Sequence, residues 1–370
     1  MLVGFLFLVL SLSAQTFNSL FSFDNGDGAN PFAGLIQATD RNFYGTTEGG
    51  GANGDGTVFK ITPGGKLTTL HSFDGTDGAN PYAGLIQATD GNFYGTAESG
   101  GANGDGTVFK STPGGKLTTL HSFDGTNGAN PYAGLIQATD GNFYGTTVNG
   151  GADYDHEQNT GFGTVFKITA GGKLTTLYSF CSQSNCTDGG YPYAGVIQGT
   201  DGNFYGTTLG GGAYGWGTIF KIMPSGKLTT LYSFCSQGYP CTDGLYPYAG
   251  LIQATNGSFY GTTVFGGSDD DCSGNYGDIP CGNVFSLSVG LGPFVETNPT
   301  SGKVGTAVKI LGTDLTGATS VTFNGTVAKF KVVSASLIKT TVPEGATTGE
   351  VEVKTPKGTL KSNVVFRVTK

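Results

Sequence analysis

The sequence predicts an all-β protein: a five-bladed β-propeller, closed by its N-terminal strand and followed by a small β-sandwich. Three observations predict this fold. A stretch of about fifty residues occurs five times, each copy holds four short strand candidates and no helical period, and the composition changes near residue 290. Four strands without a helix are typical of one propeller blade.

Each copy divides into four strands, A to D, separated by turn residues. In the second copy they are expected at 84–88, 92–96, 106–110 and 116–123. These runs are rich in Val, Ile, Thr, Phe and Tyr, which suit a pleated sheet. Asp90-Gly91 predicts a tight type I′ hairpin between A and B, a turn in which both central residues need positive φ.

The strand order at the two ends of the repeat region predicts a closed ring. The fifth copy has strands A, B and C but no strand D. Residues 16–23, which stand before the first copy, resemble a strand D without its own A, B and C. Pairing this N-terminal D strand with the last C strand would complete the fifth blade. Closure would also remove the exposed sheet edges that promote aggregation.

The first fourteen residues predict an export signal. They are almost all apolar, carry no charge and end in small residues. A membrane anchor is the alternative, but the run is shorter than the roughly 20 residues that span a bilayer. We therefore expect residues 1–14 to be a signal peptide and the mature chain to have no membrane span.

The six cysteines predict three disulfides between near neighbours in loops. The expected pairs are Cys181 with Cys186, Cys235 with Cys241, and Cys272 with Cys281. Even-numbered local pairing is typical of exported proteins. A metal site would require two pairs to converge, and no histidine stands near them.

A change in charge marks the start of a second domain. Residues 1–290 contain 9 basic and 22 acidic residues, whereas 291–370 contain 10 and 5. Several short alternating runs in the second part predict a small β-sandwich. The expected domains are therefore the signal at 1–14, the propeller at 15–290 and the sandwich at 291–370.

Both parts resemble known families. Gly312-Thr313-Asp314-Leu315 and Val321-Thr322-Phe323-Asn324-Gly325 in the second part resemble the IPT/TIG immunoglobulin-like domain. Asp90-Gly91-Asn92-Phe93-Tyr94-Gly95-Thr96 and its copies resemble the GloVer tandem repeat of exported bacterial proteins. The resemblance implies a secreted or cell-surface bacterial protein, and it implies no particular activity or oligomeric state.

One glutamine of strand A recurs in every copy and is expected to line the channel. These side chains either bind a sugar or bond the backbone of neighbouring blades; they are Gln37, Gln87, Gln137, Gln198 and Gln253. Glycoside cleavage needs two carboxyl groups across the scissile bond, and strand A has no acid. We therefore expect a non-catalytic protein that binds a glycan or cell-surface protein; the alternative is a carbohydrate-active enzyme, a glycoside hydrolase or lyase.

Further candidate sites lie where the copies differ, since specific sites tend to occupy irregular loops. Asp155 and His156 belong to an insertion in the third copy, and Trp216 is the single tryptophan. Calcium takes six to eight oxygen ligands, and the densest acidic cluster is Asp269, Asp270, Asp271 and Asp278. No other cofactor is expected, and the acidic repeat region argues against nucleic acid as a partner.

Overall fold

The computed structural model describes residues 16–155, 160–268 and 281–369. These residues form β-strands and loops, with one 3₁₀ helix at Ser184–Cys186. Within them, no helix has the length and apolar character needed to cross a membrane. The predicted signal peptide at residues 1–14 lies outside the described residues.

The repeat region forms five antiparallel sheets, numbered here in chain order. Sheet 1 contains β1 (Ile36–Gln37), β2 (Phe43–Thr47), β3 (Thr57–Ile61) and β4 (Leu67–Ser72). Sheet 2 contains β5 (Ile86–Gln87), β6 (Phe93–Ala97), β7 (Thr107–Ser111) and β8 (Leu117–Ser122). Sheet 3 contains β9 (Ile136–Gln137), β10 (Phe143–Thr147), β11 (Thr164–Ile168) and β12 (Leu174–Ser179). Sheet 4 contains β13 (Ile197–Gln198), β14 (Phe204–Thr208), β15 (Thr218–Ile222) and β16 (Leu228–Ser233). Sheet 5 contains β17 (Ile252–Gln253), β18 (Phe259–Thr262) and β19 (Val284–Leu287).

The hairpin between the first two strands of each sheet differs from the predicted type I′ turn. Gly91 has φ +82°, but Asp90 is outside the left-handed region. The Gly91 N–H donates to the Ala88 carbonyl at 2.9 Å. The hairpin is thus a type I turn followed by one left-handed residue, a common three-residue connection. One position in each hairpin therefore favours glycine.

The hydrophobic core lies between neighbouring sheets. A tyrosine from the second strand of one sheet stacks on a phenylalanine from the second strand of the next. The ring centroids are 4.0 Å apart for Tyr44 and Phe93, 4.0 Å for Tyr94 and Phe143, 3.9 Å for Tyr144 and Phe204, and 4.1 Å for Tyr205 and Phe259. Repeated four-stranded sheets packed face to face in this way resemble a propeller.

The prediction that residues 16–23 form a strand paired with β19 is wrong within the described residues. Residues 16–23 contain no strand, and β18 is the only strand in the described part of the chain that pairs with β19. Phe23 instead packs against Phe59 at 5.2 Å, just as Phe73 packs against Phe109 at 5.2 Å in the next pair of sheets. Phe23, like Phe73, therefore packs onto the sheet that follows it. A strand at residues 16–23 would also require a preceding strand as its partner.

The first sheet consequently has an uncovered face, which gives a test of the packing. Leu35 is 54% exposed, whereas its equivalent Leu85 is 2% exposed between sheets 1 and 2. We expect Leu85→Ala to lower the free energy of unfolding by about 2–5 kcal/mol. Leu35→Ala should cost about 0.5 kcal/mol or less, as is usual at the surface. Equal losses in urea unfolding would show that the face of sheet 1 is covered in solution.

Asp201 gives a second test, because it forms a salt bridge at the first hairpin of sheet 4. Its carboxylate accepts a hydrogen bond from Lys221 Nζ at 2.8 Å. Burial, the largest single influence, raises the pKa of Asp201, but hydrogen bonds from Lys221, Asn203 and Tyr205 together outweigh it and lower the pKa to about 2.

Since this pKa lies below the roughly 3.9 of an unfolded aspartate, the carboxylate stabilises the fold above about pH 4. That contribution is lost as the pH falls from about 4 to 2. We expect Asp201→Asn to remove up to about 2 kcal/mol at neutral pH and to flatten the acid limb of stability against pH. Urea unfolding across this pH range measures both; an unchanged acid limb would contradict the assignment.

The C-terminal part forms a separate sandwich. One sheet contains β20 (Val295–Asn298), β22 (Ala307–Gly312), β26 (Leu337–Thr341) and β25 (Phe330–Ser334). The other contains β24 (Thr326–Val327), β23 (Ser320–Phe323), β27 (Val351–Thr355) and β28 (Gly358–Lys361). A parallel pair joins β21 (Ser301–Gly302) to β29 (Arg367–Val368). Buried and exposed residues alternate along β22, as expected when one face covers a core.

The sandwich contacts the last sheet of the repeat region. The Phe294 N–H donates to the Thr255 carbonyl at 3.0 Å. The Thr255 and Thr313 hydroxyl groups are 3.0 Å apart. Val289 and Leu291, in the connecting segment, pack against the hydrophobic cluster of sheets 4 and 5. The two parts of the chain therefore touch at the first hairpin of sheet 5.

Two of the predicted disulfides are present. Cys181 bonds Cys186, and Cys235 bonds Cys241. Both lie in the loops that follow the fourth strands of sheets 3 and 4. Cys272, the predicted partner of Cys281, lies outside the described residues.

Candidate functional site

One aromatic residue from each copy stands just before the first strand of its sheet: Phe32, Tyr82, Tyr132, Tyr193 and Tyr248. Ring centroids are 4.5 Å apart for Tyr82 and Tyr132, 5.7 Å for Tyr132 and Tyr193, and 4.6 Å for Tyr193 and Tyr248. Since the rings of four successive copies form one continuous row of contacts, the sheets curve around an axis. We call these five residues the aromatic cluster.

Two glutamates border the aromatic cluster. The Glu48 carboxyl accepts hydrogen bonds from Asn30 Nδ2 at 3.1 Å, from Asn80 Nδ2 at 3.3 Å and from the Tyr82 hydroxyl at 3.4 Å. The Glu98 carboxyl accepts one from Asn130 Nδ2 at 3.5 Å. Each glutamate follows the second strand of its sheet, so the strand positions it beside the segment that carries the next aromatic residue.

The electrostatics place both carboxyl groups at one site. Burial, followed by the negative charge of Glu48, raises the pKa of Glu98. Burial, followed by the charges of Glu48 and Glu98, also raises the pKa of Tyr82. The two carboxyl groups therefore act on the same phenol, and burial together with the charge of Glu48 favours the protonated form of Glu98.

Sequence reasoning missed these two glutamates because it considered strand A alone as the channel lining. The signal was present in the comparison of the copies. The position after Phe-Tyr-Gly-Thr-Thr or Phe-Tyr-Gly-Thr-Ala is Glu48 and Glu98 in the first two copies, but Val148, Leu209 and Val264 in the others. A single site requires such asymmetry, whereas a residue repeated in every sheet serves the fold.

The five predicted glutamines lie at the other end of the first strands. Their side-chain carbonyls accept backbone N–H bonds from the preceding sheet: Thr39 to Gln87 at 2.9 Å, Thr89 to Gln137 at 2.9 Å, Thr139 to Gln198 at 2.9 Å and Thr200 to Gln253 at 3.0 Å. Gln37 has no sheet before it, and its amide donates at 3.4 Å to the Arg41 carbonyl. Four glutamines therefore tie neighbouring sheets together.

The remaining predicted site residues do not join the aromatic cluster by any contact between described residues. Asp155 lies in the long loop between β10 and β11, where Tyr154 donates to Asp105 at 2.8 Å. Trp216 lies in the equivalent loop of sheet 4 and packs edge-on against Tyr246 at 5.2 Å. His156 lies outside the described residues.

The predicted calcium cluster at Asp269, Asp270, Asp271 and Asp278 also lies outside the described residues. Among those the structure does describe, no group of three or more His, Cys, Asp or Glu side chains is arranged to hold a metal ion.

Comparison with known families agrees with the resemblances seen in the sequence. Residues 4–187 and 156–307 match the Gloeobacter/Verrucomicrobia repeat, and residues 294–368 match the IPT/TIG domain. No protein with a curated description matches the chain.

Several solved structures share a distant likeness. A gluconolactonase from Xanthomonas campestris is 13% identical, with 86% of this chain and 88% of that one covered and a TM-score of 0.40. A luciferin-regenerating enzyme is 14% identical, with 70% and 78% covered and a TM-score of 0.42. A fungal alcohol oxidase in complex with copper is 11% identical, with 91% and 85% covered and a TM-score of 0.35.

These structures correct the expectation of a non-catalytic binding protein. The proteins named above are described as enzymes, and that description applies to those proteins. At these TM-scores, the likeness identifies no reaction, substrate or residue role in this chain.

Proposed function

Because the chain belongs to the Gloeobacter/Verrucomicrobia repeat family and carries two carboxyl groups at its aromatic cluster, we propose that it is an exported enzyme that hydrolyses glycosidic bonds. Glu98 is the general acid, and Glu48 is the carboxylate partner. The observation that carries this proposal is the placement of two carboxyl groups beside the aromatic cluster: Glu48 accepts hydrogen bonds from Asn80 at 3.3 Å and Tyr82 at 3.4 Å, and Glu98 accepts one from Asn130 at 3.5 Å. Burial and the charge of Glu48 also raise the pKa of Glu98, as suits a general acid. Glycoside hydrolysis needs two carboxyl groups in opposite protonation states.

Each residue then has a defined role. Glu98 donates its proton to the oxygen of the leaving sugar as the bond from that oxygen to the anomeric carbon breaks. Glu48, held by Asn30, Asn80 and Tyr82, accepts the proton of the water that attacks the anomeric carbon. The products are two sugars, one with a new reducing end.

The aromatic cluster supplies the binding surface. Tyr248 is 43% exposed and Phe32 is 68% exposed, so both present aromatic surface to solvent. Aromatic faces pack against the apolar C–H face of a sugar, and tyrosine hydroxyls add hydrogen bonds. This surface lies beside the two glutamates because Tyr82 contacts both Tyr132 and Glu48.

The domain plan belongs to the same proposal. Residues 1–14 direct export, residues 15–290 form a five-bladed propeller and residues 291–370 form the IPT/TIG sandwich. The row of ring contacts from Tyr82 through Tyr132 and Tyr193 to Tyr248 supports an arrangement of the sheets around an axis. The disulfides Cys181–Cys186 and Cys235–Cys241 are consistent with an extracellular protein.

A glycan-degradation screen tests the function. The full-length protein is incubated with neutral and acidic polysaccharides, and new reducing ends are measured. We expect release by the wild-type chain and by Glu344→Gln, which removes an exposed carboxylate from the sandwich. Glu98→Val should be folded and inactive, since Val148 occupies this position in sheet 3. Equal release by Glu98→Val, or unsaturated products typical of a lyase, would contradict the proposal.

A further inference from the structure

A polar cleft separates the first hairpin of the repeat region from the sandwich. It has a volume of about 740 Å³. One wall consists of Gln37, Ala38, Thr39 and Arg41 from sheet 1, and the other consists of residues 297–301 from the sandwich. The cleft is at the opposite end of strand β1 from the aromatic cluster, so it is separate from the site of the proposed hydrolysis.

Arg41 is the feature that distinguishes this hairpin from the other four. The equivalent residues are Gly91, Gly141, Gly202 and Gly257, all with positive φ. Arg41 adopts the same left-handed conformation at φ +69°, which is unfavourable for a residue with a side chain. Backbone strain of this kind concentrates at binding and catalytic sites. Here it places a guanidinium group in the wall of the cleft.

The charge of Arg41 is available to a ligand. Within the described residues, no ion pair joins Arg41 to an acidic side chain. The neighbouring Asp40 is already bound by Asn42 at 2.8 Å and by Tyr44 at 2.8 Å, and Lys60 lies 3.8 Å away. The guanidinium therefore keeps its donors for a partner from outside the chain.

The opposite wall adds polar groups. It contains Asn298, Thr300 and Ser301. Asn298 and Thr300 are exposed to solvent, so their side chains can reach a molecule in the cleft. Gln37 adds a side-chain carbonyl that, unlike those of its four equivalents, accepts no bond from a neighbouring sheet in the described structure.

We infer that this cleft binds the carboxylate and hydroxyl groups of an acidic sugar, such as a uronic acid residue. Arg41 binds the carboxylate through its paired N–H donors, the geometry that guanidinium groups favour. Thr39, Thr300 and Gln37 bind sugar hydroxyls, since hydroxyl and amide groups both donate and accept hydrogen bonds. The site needs both the hairpin and the sandwich, and therefore gives the contact between them a role in binding.

Calorimetric titration of the full-length protein with glucuronate tests the site, with glucose and inorganic phosphate as comparison probes. We expect glucuronate to bind, and glucose and phosphate to bind at least tenfold more weakly. Arg41→Gly should weaken glucuronate about tenfold or more, as loss of a charged hydrogen bond does. Gln37→Ala should weaken it by a smaller factor, and Lys331→Ala, which removes an exposed charge from the sandwich, should leave binding unchanged.

Arg41→Gly is a fair test because it installs the residue of the other four hairpins and relieves an unfavourable φ, so its melting temperature should be unchanged or higher. Unchanged glucuronate binding by folded Arg41→Gly would overturn the inference. Equal binding of glucose would also overturn it, as would phosphate binding as tight as that of glucuronate. Because the readout is binding and not cleavage, this result is independent of the hydrolysis assigned to Glu48 and Glu98.

Discussion

Glu98→Gln is expected to lower kcat for glycan hydrolysis by about 10²–10⁴-fold, the contribution typical of a positioned general acid. Glutamine keeps the size of the side chain and the hydrogen bond to Asn130, but it cannot donate a proton to the leaving oxygen. Wild-type activity should fall as the pH rises through the raised pKa of Glu98. The measurement is kcat against pH for both proteins on a substrate found in the glycan screen.

Two controls separate catalysis from structure. KM should change little in Glu98→Gln if the aromatic cluster binds the sugar, and the alkaline limb of the pH profile should disappear. Glu344→Gln should retain the wild-type profile. An active Glu98→Gln variant with the wild-type alkaline limb would assign the general acid to another residue.

Phe204→Ala is expected to lower the free energy of unfolding by about 3–5 kcal/mol. Phe204 is fully buried between sheets 3 and 4 and stacks on Tyr144 at 3.9 Å. Truncation removes this contact and leaves a cavity in a core that cannot collapse easily, because strands fix both walls. Stacked aromatic pairs add about 0.5–1.5 kcal/mol beyond the area that they bury.

Urea unfolding followed by tyrosine fluorescence measures this loss. Phe17→Ala is the matched control, because Phe17 is 93% exposed, and we expect a change of about 0.5 kcal/mol or less. Similar losses in the two variants would contradict an inter-sheet core as the main source of stability.

The strands of the fold were largely predictable from sequence. The second, third and fourth strands were expected at 92–96, 106–110 and 116–123, and they are found at Phe93–Ala97, Thr107–Ser111 and Leu117–Ser122. The first strand shortens to Ile86–Gln87 because the residues before it pack against the preceding copy. A Cβ on Gly84 would lie 3.2 Å from the Gly34 carbonyl. This segment therefore packs against the equivalent segment of the preceding copy and does not extend the strand.

The ends of the repeat region were not predictable in the same way. Residues 20–23 have the pattern of a fourth strand, but a strand exists only where a partner is in place. Phe23 finds its packing partner in Phe59, while the edge of β19 remains unpaired in the described residues. Local sequence specifies the contact to the following sheet, and the three-dimensional path of the chain decides whether the ends meet.

The candidate site was even harder to predict from the sequence, since its residues come from different copies. Glu48 is held by Asn30 of its own copy and by Asn80 and Tyr82 of the next, and only the packing of the sheets brings these together. What the sequence did contain was asymmetry. Glu48, Glu98 and Arg41 all stand where other copies carry apolar residues or glycine. The repeated residues build the scaffold, and the exceptions carry the chemistry.

Direct titration of Glu98 tests this account most closely. Carbon NMR of selectively labelled glutamate carboxyl groups, assigned with Glu98→Gln, gives the pKa of Glu98 in the folded wild-type protein and in Glu48→Gln. We expect a pKa above the usual value of about 4.3 in the wild type, and a lower one when the charge of Glu48 is removed. Part of the elevation should remain in Glu48→Gln, because burial is its larger cause. An ordinary pKa in both proteins would contradict the acid–base pair at the aromatic cluster.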